Sequence, residues 1–349
     1  MLTRLSSSIS IAFLVTWLIG CSDSPTDSKV KLGTPSEFTS VEVEGNSFSL
    51  SENGMKAAVW VNESLEKEPQ WWAKHVTIAD LSTMKVLKAF EKPWQLNANA
   101  GPACLNPAGD TVWYAVGYEL YRAPLASSSG SFDGELTSVI MSLCYDPLRS
   151  TIYMYSGGNN ETKISSTKVF QAPFNKEMLR IGKGASYRYG SQRMRMIGND
   201  MLFTPNGYAV DVNTNTELWS IETEAAVISP TTYVRESDRI LYIRNVGDDS
   251  QTQISFKHSE THFMDAAVAS KDGKRVAIIY NTNSGMTTDI CYISVYSIAD
   301  RAEIYRIAPA DQGVGDGHSE ITDVEFSPVD NTVLYMIDRE GNLCRWKLP

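Results

Sequence analysis

Arg188, Arg193 and Arg195 all lie in the segment Tyr187-Arg188-Tyr189-Gly190-Ser191-Gln192-Arg193-Met194-Arg195. A guanidinium presents a fork of donors that matches a carboxylate or a phosphate, so the cluster is a candidate anion site. On a strand Arg193 and Arg195 share a parity and point the same way. The chain carries 41 acidic against 31 basic residues, a net charge of -10. That surplus of acids offers a plainer use, in which the arginines pair with carboxylates of neighbouring blades. Trp71 and Trp72 follow the polar stretch from Glu63 to Gln70. Paired tryptophans there suit a stacking platform for a sugar or an anchor in a protein interface, or else they fold back onto the adjoining strands.

Other constellations fall short of chemistry. The chain has no G-x-S-x-G elbow, H-E-x-x-H helix, G-x-x-x-x-G-K-[ST] loop or EF-hand loop. His258 and His262 flank Glu260, but residues four apart on an extended segment lie about 13 Å apart, too far for one ion without a bend. The stretch Gly313-Val314-Gly315-Asp316-Gly317-His318 lacks the following helix and lysine of a phosphate cradle. No catalytic, cofactor-binding or metal-ligating residue is therefore assigned, and no cofactor is expected. The negative charge repels a phosphate backbone and argues against general nucleic-acid binding.

The N-terminus carries an address. Arg4 precedes an apolar run from Ile9 to Ile19, which has the length of a signal-peptide h-region and is short for a bilayer span. The run ends Leu18-Ile19-Gly20-Cys21, and a polar stretch begins at Ser22. This ending resembles the bacterial lipobox. The resemblance implies a diacylglyceryl group on the Cys21 thiol, which would become the mature N-terminus; an ordinary secretory signal is the alternative. In the Gram-negative lipoproteins it resembles, Asp after the cysteine favours inner-membrane retention. Ser22 stands there instead, so the resemblance implies the outer membrane. The expected organisation is a signal peptide over 1–20, a flexible tether over 21–36 reaching about 20 Å, and a folded domain over 37–349.

With 349 residues, 42% hydrophobic and 10% aromatic, the chain is expected to bury a sizeable core. From Phe38 onward no helical period is present. Short β-branched and aromatic runs recur between Gly, Asn, Asp and Pro turn signals, which predicts an all-β fold. Seven runs follow a polar turn position: Ala57–Val61, Val112–Val116, Ile152–Tyr155, Met201–Phe203, Ile240–Ile243, Val276–Tyr280 and Val333–Ile337. The polar residues before them are 36 to 57 positions apart, a spacing that suits propeller blades with loop insertions. A second register supports this reading. Asp80–Phe90, Asp211–Ile221 and Ser297–Ile307 align without a gap, each as a strand end, a polar turn and an outgoing strand.

The segments Leu105–Asp110, Tyr145–Pro147, Ala269–Lys274 and Phe326–Asp330 resemble the turn of WD-repeat and TolB-like propellers, although no copy keeps a Gly-His and Trp-Asp pair. The resemblance implies a seven-bladed β-propeller; a β-sandwich is the rival architecture. The last blade offers only three strands, and Phe38–Val43 is a spare strand upstream of the first. Closure is expected by adding that N-terminal strand to the last blade, which hides both edges.

Within a four-stranded blade the first and third connections emerge on one face, and the second and inter-blade connections on the other. The first-to-second turns are tight, whereas Asn62–Lys74, Gly157–Thr167, Asn281–Asp289 and Ala308–Glu320 are long. The long-loop face, with Trp71 and Trp72, is therefore the expected working face. Cys104, Cys144, Cys291 and Cys344 form an even set that an exported protein could pair, but equivalent blade positions face the same way, which favours buried free thiols. Taken together, a lipid-anchored module binding protein partners at the envelope is expected. The alternative, resting on fold alone, is a propeller enzyme of lyase or lactonase type acting on a carbohydrate or small anionic ligand at the channel mouth.

Overall fold

A computed structural model describes residues 35–61, 74–91, 100–136, 139–156, 166–171, 176–182, 193–205, 207–221, 225–248, 251–254, 262–282, 290–315 and 319–349. Leu32–Pro349 forms one compact unit, and Met1–Lys31, the other unit, lies outside the described residues.

The described strands form four-stranded antiparallel sheets that follow one another along the chain. The first holds β2 (Ser47–Leu50), β3 (Lys56–Trp60), β4 (Lys74–Asp80) and β5 (Lys85–Glu91). The second holds β6 (Ala100–Leu105), β7 (Thr111–Val116), β8 (Glu119–Pro124) and β9 (Ser131–Glu135). In the third are β10 (Ile140–Asp146), β11 (Thr151–Ser156), β12 (Ser166–Gln171) and β13 (Lys176–Gly182). The fourth contains β14 (Arg195–Ile197), β15 (Met201–Phe203), β16 (Tyr208–Asp211) and β17 (Thr216–Ser220). Next come β18 (Ala225–Ser229), β19 (Thr232–Ser237), β20 (Ile240–Asn245) and β21 (Gln251–Gln253). The sixth has β22 (His262–Ala269), β23 (Arg275–Thr282), β24 (Tyr292–Ser297) and β25 (Ala302–Ile307). In the last, β26 (Ile321–Phe326), β27 (Val333–Asp338) and β28 (Asn342–Lys347) are joined by β1 (Glu37–Glu42), which pairs β28 from Glu37↔Lys347 to Glu42↔Asn342. Among the described residues no helix is long and apolar enough to cross a membrane.

The solid apolar runs of the sequence have a simple cause: both faces of the second strands are buried, so alternation disappears. On β3, Ala57 and Val59 pack against the last sheet, while Ala58 and Trp60 pack against the second. On β27, Val333, Tyr335 and Ile337 face the first sheet, and Leu334 and Met336 face the sixth. Each consecutive pair of sheets encloses its own apolar cluster in this way, the last and first included. This is an all-β propeller arrangement, with the cores between blades rather than in one central mass.

The aligned turn register is also structural. Met84, Asn215 and Arg301 occupy the same place in the three aligned segments and have φ of 49°, 57° and 53°. Asp80 accepts hydrogen bonds from the N–H groups of Ser82 and Thr83, and Asp211 from those of Asn213 and Thr214. In each hairpin a bulge precedes the turn, between Ile78 and Ala79, Ala209 and Val210, and Val295 and Tyr296. A left-handed residue joined to a bulge closes such short hairpins.

One assignment of the repeat needs correcting. Ile240–Ile243 lies in β20, the third strand of its sheet, and the second strand is β19. The run TYVRES in β19 carries Arg and Glu among its apolar residues and is only partly buried, so the more apolar β20 mimics the second-strand pattern.

Candidate functional site

The first strands of all the sheets, β2, β6, β10, β14, β18, β22 and β26, line one central cavity of about 650 Å³. It extends to the tight turns at one end of the sheets, reaching Glu52, Pro107, Leu148, Asn199, Lys271 and Pro328. These turns are tied to one another. Asn53 donates from Nδ2 to the Ala108 carbonyl at 2.8 Å, joining the first and second sheets. Arg149 joins the third and fourth, donating to the Asn199 carbonyl at 2.8 Å, Asp200 at 2.6 Å and Asn213 at 2.7 Å, while also bonding Asp146 at 2.9 Å. Arg275 donates to the Asn331 carbonyl at 2.7 Å, joining the sixth and last.

Arg193, just before β14, lines this cavity. Its Nη2 lies 3.1 Å from Asp323 Oδ1 and 2.8 Å from Glu325 Oε2, both on β26, and its guanidinium sits 5.0 Å from the centre of the Phe48 ring on β2. The fourth sheet is thus bonded to the last and stacked on the first, so the pairing crosses the cavity rather than joining adjacent blades as expected. A full-length arginine reaches where a shorter cation would not. Asp323 accepts on both oxygens: Oδ2 from the Phe48 N–H at 3.1 Å, and Oδ1 from the Val324 N–H at 2.9 Å and from Arg193. Burial nevertheless pushes its pKa up to about 6, against the lowering effect of Arg193. Burial disfavours charge on Arg193 too, but Asp323 and Glu325 outweigh it and raise its pKa.

Arg195 also lines the cavity, yet no ion pair or side-chain hydrogen bond joins it to any described residue. Burial lowers its pKa, and Glu325 offsets this only in part. The two arginines that sequence parity put together therefore differ: Arg193 is ion-paired through Nη2, although its buried Nε has no partner, and Arg195 lines the cavity with no ion pair to a described residue.

Of the remaining sequence candidates, Cys21, Trp71, Trp72 and Arg188 lie outside the described residues, as do His258, Glu260 and 316–318. His262, on β22, contacts the Ile290 carbonyl at 3.1 Å and packs on Tyr292. Among the described residues no group of acids, histidines and cysteines could hold a metal ion. Cys104, Cys144, Cys291 and Cys344 are buried and not joined in disulfides, and burial raises the Cys144 thiol to about 12. Such thiols behave as small apolar groups.

Sequence reasoning passed over the tight-turn end. Met55, Leu148 and Val329, each in a first-to-second turn, are 46%, 65% and 65% exposed. A signal was present: large apolar residues in turns otherwise made of polar residues, Gly and Pro.

No family model and no curated protein matches the sequence. Among solved structures, the chain is similar to one in the crystal structure of a mitotic checkpoint complex, with a TM-score of 0.61 and 11% identity, over 100% of this chain and 99% of that one. At that identity the likeness carries the fold and nothing finer, and the fold is that of a β-propeller.

Proposed function

We propose that this chain is a lipid-anchored scaffold of the bacterial envelope that docks a protein partner on its tight-turn rim. The observation that carries the docking is the exposure of Met55, Leu148 and Val329 on turns at one end of the sheets. Large apolar side chains held out from a hydrogen-bonded rim suit a protein interface, because little ordering entropy remains to be lost on binding. The similar solved structure is itself a protein complex, which is compatible with this reading. Trp71, Trp72 and Arg188 are carried forward from the sequence as a second contact on the long-loop face.

The proposal includes a seven-bladed ring, one blade per sheet, closed by β1 as the outer strand of the last blade. The β1–β28 ladder and the apolar cluster between the last and first sheets support it. The lipid on Cys21, the outer-membrane location and the 21–36 tether rest on the Leu18-Ile19-Gly20-Cys21 ending. Mass spectrometry of the mature protein is expected to find a diacylated Cys21, and Cys21→Ser to release it from membranes or block processing; an unmodified N-terminus elsewhere contradicts the anchor. The docking reading is tested by affinity capture from crosslinked membranes. Met55→Ser, Leu148→Ser and Val329→Ser together should abolish capture of a partner that the parent retains, and unchanged capture contradicts it.

A further inference from the structure

The walls of the central cavity are mixed, with an apolar part formed by Leu50, Leu105, Leu143, Val227, Val268 and Phe326. Its volume of about 650 Å³ lies in the range that encloses small organic ligands. The other charged side chains that line it are engaged: Arg193 with Asp323 and Glu325, Asp146 with Arg149, and Glu52 with Lys271 at the rim. Arg195 is the exception. The hydrogen bonds that Asp323 and Glu325 accept from a guanidinium come from Arg193, and Glu325 acts on Arg195 only through its charge. A buried guanidinium with no hydrogen-bond acceptor among the described residues is costly, and a ligand that supplies the acceptor recovers that cost.

We propose that the cavity binds an aliphatic monocarboxylate, with its carboxylate on the Arg195 guanidinium and its chain along the apolar wall. A carboxylate fits the forked donors with two parallel hydrogen bonds. It is favoured over a phosphate dianion because Arg193, Arg195, Asp323 and Glu325 together carry no net charge when ionised, so one added negative charge is the smaller excess. The aliphatic part follows from the wall, where each added methylene displaces water from apolar surface. This binding is independent of the partner-docking reading.

The test is calorimetric titration of the full chain with butyrate, hexanoate, octanoate, octanol and inorganic phosphate. One carboxylate per chain is expected, tightening from butyrate to octanoate, with octanol and phosphate at least about tenfold weaker than octanoate. Arg195→Gln should weaken octanoate by about tenfold or more. Ala267→Leu fills the chamber from β22 without altering Arg195, should also weaken octanoate, and decides the matter if Arg195→Gln does not fold. No carboxylate binding at millimolar concentration, phosphate binding better than octanoate, or octanoate binding unchanged in the folded variants would each overturn the proposal.

Discussion

Arg193 Nη2 lies 3.1 Å from Asp323 Oδ1, although the two residues belong to sheets three places apart in chain order. The pair is largely withdrawn from water, with side-chain exposures of 12% and 1%. It therefore ties opposite sides of the cavity at the cost of burying charge, and its value depends on keeping every partner.

Arg193→Gln leaves the Asp323 and Glu325 carboxylates without their cation, and is expected to cost about 3 kcal/mol of stability. Urea unfolding measures it. Replacing the whole cluster with Arg193→Met, Asp323→Asn and Glu325→Gln should recover part of the loss, because the uncompensated charge goes with it. A change below about 0.5 kcal/mol in Arg193→Gln, the level of an ordinary surface substitution, would mean that the tie carries no weight.

The same pair predicts a pH dependence. Burial lifts the Asp323 pKa to about 6 from its ordinary 3.8. Between those values the folded protein holds a proton that the unfolded chain has released, so this group's contribution to stability falls as pH rises through the window. Relative to Asp323→Asn, the parent should lose stability from about pH 4 to about pH 6 and run parallel above it. Unfolding curves across that range check the sign, and a parent that gains stability relative to the variant contradicts it.

Backbone conformation gives two opposite expectations. Arg301 is exposed with φ of 53°, and Arg301→Gly should stabilise by up to about 1 kcal/mol by relieving the left-handed strain. Gly207 has φ of 86°, and a Cβ there would fall 2.1 Å from the Ile221 carbonyl oxygen. Gly207→Ala should destabilise by more than about 1 kcal/mol. Thermal melts of the two variants should move in opposite directions.

Much of the architecture was legible because its signals are local. Turn residues such as Asp80 and Asp211, and strand runs such as Val276–Tyr280, follow from hydrogen bonding and burial within one hairpin. The third-strand position of Ile240–Ile243 was not legible, because its apolarity matches that of a second strand. The site was legible only in part. Parity put Arg193 and Arg195 on one side, but no local pattern says that Asp323 and Glu325, 130 and 132 residues away, complete one arginine and leave the other open. The rim was missed for a related reason: loop length pointed to the opposite end, whereas the exposure of Leu148 depends on how its turn meets the neighbouring sheets.

Removing β1 should leave the outer edge of β28 without a partner strand and take away the Phe38 ring that packs on Trp346. A chain beginning at Gly45 is expected to melt earlier or to aggregate through the exposed edge. Unchanged thermal stability and solubility would contradict closure through this strand.

The partner-docking rim is tested most directly by site-specific photo-crosslinking in membranes, with a photoreactive side chain placed at Leu148 and, as a control, at the comparably exposed Leu218 on β17. The account predicts discrete adducts with a protein from position 148 that are lost when Met55 and Val329 are changed to Ser, and none from position 218. Absence of an adduct at 148, or equal adducts from both positions, would contradict it.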